Sequence, residues 1–228
     1  MHEDALSQRT RSADRRPTDG ATGCARWNVV VLGVSSVVLG ATSFAARADL
    51  TPVEVTVFRS LNELSDALNT AIWPFMQYGT FVTIPALTVI ALLFSRFRLA
   101  IALALSGVGV YLLARLVKEI VERGRPGAVL TGVEAREVFA EGSLGFPSGH
   151  AAVAAALTVV VAAHLSMRWT ITALVLGTIV LFGRLYVGAH LPLDVLGGAA
   201  LGAVAGSAVN MTMCRRRGRM DVEPRVRI

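Results

Sequence analysis

Long apolar blocks alternate with short polar stretches that hold most of the charge, and six blocks stand out: residues 28–46, 78–94, 99–117, 150–165, 169–182 and 193–213. A helix crossing a hydrocarbon core of about 30 Å needs roughly 20 mostly apolar residues. The pattern therefore predicts an all-α, polytopic membrane bundle with six transmembrane helices. Between the first two blocks, Ser60-Leu61-Asn62-Glu63 has the form of a capping box ahead of Leu61, Leu64, Leu68 and Ile72 at helical spacing. That predicts a short amphipathic interfacial helix, serving as a packed connector ended by Pro74 or as a lip that guides lipid. Trp73, Phe75 and Tyr78 form an aromatic belt at the entry to the second block.

Residues 1–27 are polar, arginine-rich and free of apolar periodicity, and read as a disordered tail; 28–213 form the membrane domain, and 214–228 a second basic tail. The first apolar block, followed by Ala46-Arg47-Ala48, also imitates a secretory signal with its cleavage site. Its length exceeds the roughly 7 to 15 residues of a signal core, so it is taken as a retained helix.

Composition agrees with the membrane reading: 54% of the 228 residues are hydrophobic and 17% charged, too oily for a soluble domain. The net charge of +6 is a topology signal rather than a nucleic-acid footprint. The N-terminal arginines, Arg96, Arg98, Arg168 and the Arg215-Arg216-Arg217-Gly218-Arg219 cluster all fall on one side of a six-span count. The positive-inside rule makes that side, with both termini, cytoplasmic. Cys24 and Cys214 lack the spacing of a metal or redox motif and receive no role.

Three fragments fall on the other, extracytoplasmic side. The first runs from Lys118, the only lysine in the chain, to Arg125-Pro126; the second is Pro147-Ser148-Gly149-His150; the third runs from Arg184 through His190 to Asp194. Lys118, Arg125 and Arg184 are cations at membrane-helix ends, where charge is costly unless paired or wetted, and a phosphate dianion would pair them. Ser148 and Gly149 precede an alanine-rich helix whose first amides could meet an anion. His150 would stand beside that anion as a proton shuttle. At a spacing of four, Asp194 could fix the tautomer of His190 and leave its other nitrogen as a nucleophile.

The remaining polar residues carry blander readings. Glu119 and Glu122 read as a solvated face, with Glu122 also within helical reach of Lys118. Glu134, Arg136, Glu137 and Glu141 lie in the loop between the first two fragments, where they could bear on headgroup choice. His164 reads as an interfacial residue at the opposite end of its span. Gly198, Gly202 and Gly206, spaced by four, read as a close-packing stripe.

Taken together the fragments resemble the three-part signature of the type 2 phosphatidic acid phosphatase (PAP2) superfamily, over about residues 78–213. One position departs: Gly183 stands where the family usually has Ser. The resemblance implies hydrolysis of a lipid phosphate or diphosphate without metal or cofactor, through a phosphohistidine on His190. Asp194 would support His190, and His150 would protonate the leaving oxygen and later activate water. Lys118, Arg125, Arg184 and the amides near Ser148 and Gly149 would bind phosphate. The expected partners are the bilayer and a phosphorylated lipid, foremost a polyprenyl diphosphate such as undecaprenyl diphosphate, with phosphatidic acid or phosphatidylglycerol phosphate as alternatives. Vanadate-dependent haloperoxidases share such a site but resemble soluble proteins. A transporter would carry polar residues along its spans rather than at one end. An inactive lipid-binding relative would lack essential positions, and none is missing.

Overall fold

The computed structural model describes residues 18–138 and 142–222, with side chains from 26 to 213. The expected N-terminal tail up to residue 17, Glu141 and the last six residues lie outside this description, as do the side chains of Cys24 and Cys214. Among the described residues all regular structure is helical, apart from an isolated bridge between Gly124 and Leu144. The helices are α1 (Thr18–Ala45), α2 (Pro52–Asn62), α3 (Ala67–Met76), α4 (Thr83–Leu93), α5 (Phe97–Val121), α6 (Gly149–His164), α7 (Met167–Tyr186) and α8 (Pro192–Val222). A 3-10 turn (Gln77–Gly79) follows α3, and a single helical turn (Pro126–Val129) follows α5. Helix α1 thus starts ten residues before the first apolar block, and α8 continues beyond the last.

Among the described residues, four segments are long and apolar enough to cross a membrane: Arg26–Ala45, Phe97–Val121, Met167–Tyr186 and Pro192–Met213. The second expected span is broken. Its helix α4 has only 11 residues and follows Ala67–Gly79 at a bend of 66°, so the two together make a fifth crossing at most. The fourth expected span, α6, has 16 residues and falls short of the other crossings.

The capping-box expectation at Ser60 is overturned. Ser60 lies in the last turn of α2, where its hydroxyl donates to the Val57 carbonyl at 2.9 Å. The same S/T-x-x-E pattern occurs nine residues earlier, at Thr51-Pro52-Val53-Glu54, with proline at the first helical position. Thr51 Oγ1 accepts from Glu54 N at 3.2 Å and starts the helix there. One expected amphipathic helix is therefore two short ones, and α3 runs past Pro74 to Met76. Trp73 and Phe75 are exposed, as an aromatic belt requires. Tyr78 is not part of it: its hydroxyl meets Thr158 of α6 at 3.2 Å.

Helix α6 sits at the centre, against α5, α7 and α8. Alanine, the best helix former, lines it, and Ala151, Ala152, Ala154 and Ala156 are buried. Helix α8 crosses it along the glycine stripe. A Cβ on Gly198 would strike the Ser148 carbonyl, one on Gly202 the Ala152 carbonyl and one on Gly206 the Ala156 carbonyl. The stripe thus brings α6 and α8 to backbone contact, as small residues at this spacing permit. That contact sets the distance between the His150 and Asp194 ends of the two helices.

Candidate active site

All three fragments meet at one end of the bundle. Lys118 lies in the last turn of α5, Ser148 caps α6, Arg184 lies in the last turn of α7, and Asp194 in the first turn of α8. The Lys118 ammonium donates to the carbonyls of Leu144 (2.9 Å) and Gly145 (3.3 Å), which draws the segment before Pro147 against α5. Glu119 and Glu122 are exposed, in keeping with a solvated face. Arg125 donates through Nε to Ser143 Oγ at 2.7 Å and through Nη1 to the Ala189 carbonyl at 3.0 Å, linking the first fragment to the third.

Ser148 is fully buried, and much of it is engaged within the protein. Its hydroxyl oxygen accepts from Ala151 N at 3.4 Å, the N-cap bond, and its amide donates to the Asp194 carbonyl at 2.9 Å. The Ser148 amide is thus already engaged within the protein. The first-turn amides of Gly149 and His150, which have no acceptor within the helix, are the donors an anion can use.

His190 and Asp194 are both buried, at 2% and 0% exposure. Their closest approach, His190 Nδ1 to Asp194 Oδ2, is 3.7 Å, an ion-pair distance rather than a hydrogen bond. Asp194 takes its hydrogen bonds elsewhere: Oδ2 from Leu191 N at 2.8 Å and Oδ1 from Arg123 Nη1 at 3.1 Å. Burial, then the cations of Arg184, Arg125 and Lys118, push the His190 pKa well below the ordinary histidine range; the Gly145 backbone opposes them. These effects favour the neutral form of the imidazole.

Two features were missed by reading the sequence. Arg123, between Lys118 and Arg125, makes a buried bidentate pair with Glu54 of α2, at 3.0 and 2.7 Å. Burial alone would lower its pKa, but the Glu54 and Asp194 carboxylates outweigh that and raise it. Glu54 recurs with Phe58 and Asn62 at intervals of four, all buried. A carboxylate on the inward face of an amphipathic helix was the signal available. Second, Glu137 grips the Arg184 guanidinium through both carboxylate oxygens, at 3.0 and 2.9 Å. Glu137 and Arg125 also line a cavity of about 540 Å3 with Val133, Val138, Ser143 and Gly188. His164 lies at the far end of α6, with Nδ1 3.0 Å from the Val160 carbonyl.

The helical bundle thus gathers three cations, two histidines and a carboxylate at one end of its spans, a set suited to holding a phosphate-like anion. The PAP2 superfamily model matches residues 95–217, more than half of the chain. The chain belongs to that superfamily. Among solved structures it is similar to LpxE from Aquifex aeolicus, with 22% identity, a TM-score of 0.65, and coverage of 70% of this chain and 95% of that one. It is also similar to the first transmembrane PAP2-type phosphatidylglycerolphosphate phosphatase from Bacillus subtilis, with 24% identity, a TM-score of 0.61, and coverage of 88% and 98%. At these identities the likeness speaks for the fold. No curated protein gives a significant match.

Proposed function

We propose that the protein hydrolyses a lipid diphosphate or phosphate ester at the extracytoplasmic membrane face, through a phosphohistidine. The observation that carries this reading is the meeting of Lys118, Arg125, Arg184, His150 and the His190–Asp194 pair at one bundle end. With Nδ1 of His190 turned to Asp194, Nε2 attacks phosphorus. A P–N bond forms as the bond from phosphorus to the leaving oxygen breaks, and that oxygen takes a proton from His150. Water, deprotonated by His150, then attacks the phosphohistidine, freeing His190 and inorganic phosphate. The imidazolium character of phosphohistidine is balanced by the Asp194 carboxylate. The cations and the first amides of α6 bind the charge on the equatorial oxygens, the preorganised stabilisation that dominates phosphoryl transfer. Counting the bent pair as one crossing and α6 as another gives six spans, with both termini cytoplasmic.

The leading substrate is a polyprenyl diphosphate such as undecaprenyl diphosphate, on the resemblance to small carrier-lipid phosphatases with an outward site. Phosphatidylglycerol phosphate is the second reading, favoured by the fold shared with the Bacillus subtilis enzyme across 88% of this chain; phosphatidic acid is the third. The test is phosphate release by purified protein in detergent with EDTA, comparing these three lipids, alongside His190→Ala. We expect release from the prenyl diphosphate to be fastest and the variant to be inactive. Activity that survives the substitution, or that requires added metal, would sink the mechanism. Equal turnover of all three lipids would remove only the narrow substrate claim.

A further inference from the structure

Arg123 and Glu54 are a buried ion pair, and buried pairs are poor stabilisers, because desolvating two charges costs about what their attraction returns. Their geometry offers a different explanation. The Arg123 fork points two ways at once: Nη1 and Nη2 hold both Glu54 oxygens, and Nη1 also holds Asp194 Oδ1 at 3.1 Å. Glu54 Oε1 in turn accepts from Leu193 N at 3.1 Å, one residue before Asp194. The Arg123 carbonyl accepts from Gly145 N at 2.6 Å, and the Gly145 carbonyl is one of the two that hold Lys118. Four separate parts of the chain, α2, the turn after α5, the segment before α6 and the start of α8, are thus tied together at Arg123.

Asp194 needs such a tie. Its side chain is fully buried and has no hydrogen bond to His190, so its direction is set by Leu191 N on one oxygen and Arg123 on the other. Without Arg123 one oxygen loses its partner. The carboxylate would also share a buried site with Glu54 and no counter-ion between them, which favours protonation of one of the two.

We infer that Arg123, oriented by Glu54 from helix α2, is the positioning residue for Asp194 and keeps its carboxyl group aimed at the His190 imidazole. Neither Arg123 nor Glu54 touches the phosphate; they act through Asp194. The role rests on the reading of His190 as the nucleophile. Because α2 carries Glu54, this residue pair also couples the seating of that helix to the reactive histidine.

The experiment uses full-length protein in detergent and the best lipid substrate from the panel above, with orthovanadate as a phosphate-site probe. The variants are Arg123→Lys, Glu54→Gln and their combination, with His190→Ala as control. Partners that orient metal-ligating histidines and carboxylates are worth about 10- to 100-fold, and we expect a positioning partner here to act on the same scale. We expect each single variant to lose about that much kcat, with KM and vanadate inhibition little changed. The double variant should fall scarcely further, since the pair acts as a unit. Glu54→Gln is isosteric and serves where Arg123→Lys fails to fold. Wild-type kcat in a folded Glu54→Gln protein would overturn the inference, as would a rise in KM and weaker vanadate inhibition at unchanged kcat, which would make Arg123 a substrate-binding cation. Activity surviving His190→Ala would remove the nucleophile reading itself and the positioning role with it.

Discussion

Gly183 shows how much one atom can decide. The family usually has Ser here, and the sequence alone suggests a lost hydroxyl of little consequence. In the structure a Cβ at this position would strike Sδ and Cγ of Met76, with Ile72 Cγ2 at 3.3 Å. Met76 is buried, at 2% exposure, and it packs with Tyr186, Val187 and Ala189 beside the third fragment. The glycine is therefore the partner of a bulky α3 side chain, and the two must change together. Gly183→Ser should destabilise the protein by about 1–3 kcal/mol through overpacking. Combined with Met76→Ala it should be less damaging than the two single changes summed, because the new side chain occupies vacated space. Thermal unfolding in detergent of the three variants checks this, and strict additivity would contradict the shared-space account.

At the scale of elements, the loop before α6 is held more firmly than its polar sequence suggests. Arg136 donates to the carbonyls of Asn62, Tyr186 and Leu64, each at 2.7 Å, and to Asp66 Oδ1 at 2.8 Å, while its guanidinium lies over the Tyr186 ring. The next residue is Glu137, so this anchor sets the carboxylate against Arg184. Both oxygens lie on one guanidinium nitrogen, Nη1, so a phosphate that takes that nitrogen competes with the carboxylate. Glu137→Gln, a weaker acceptor, should lower KM by up to about tenfold, roughly 1.4 kcal/mol, and leave kcat unchanged. Steady-state kinetics decide the matter: a raised KM would mean that Glu137 helps to bind the substrate. None of these contacts was readable beforehand. His190 and Asp194 could be paired on paper because four residues in one turn fix their proximity. Glu54 and Arg123 stand 69 apart in sequence, and Glu137 and Arg184 stand 47 apart, so only tertiary packing unites them. The S/T-x-x-E pattern occurs at both Thr51 and Ser60; the proline at the first helical position is what separates them.

For the whole molecule, the direction of the chain sorts its charges. Helix α5 starts after Arg96 and ends near Lys118; α6 starts at the site and ends at His164; α7 starts beside Arg168 and ends at Arg184. Arg96, Arg98 and Arg168 are thereby at the end opposite the site, the arrangement that the arginine pattern anticipates. A reporter fused after Arg219 should read cytoplasmic, and an external signal would reverse the orientation of the enzyme. The shortness of α6 has a consequence for depth. Sixteen residues make a rod of about 24 Å, against a hydrocarbon thickness of about 30 Å. A helix of that length with its far end at one interface would stop several ångströms short of the other. In such a setting the end that bears His150 would lie beneath the headgroup plane, and on the proposed reading a lipid would have to lower its phosphate to reach it. A phosphate ester with no hydrocarbon chain has nothing to hold it at that level.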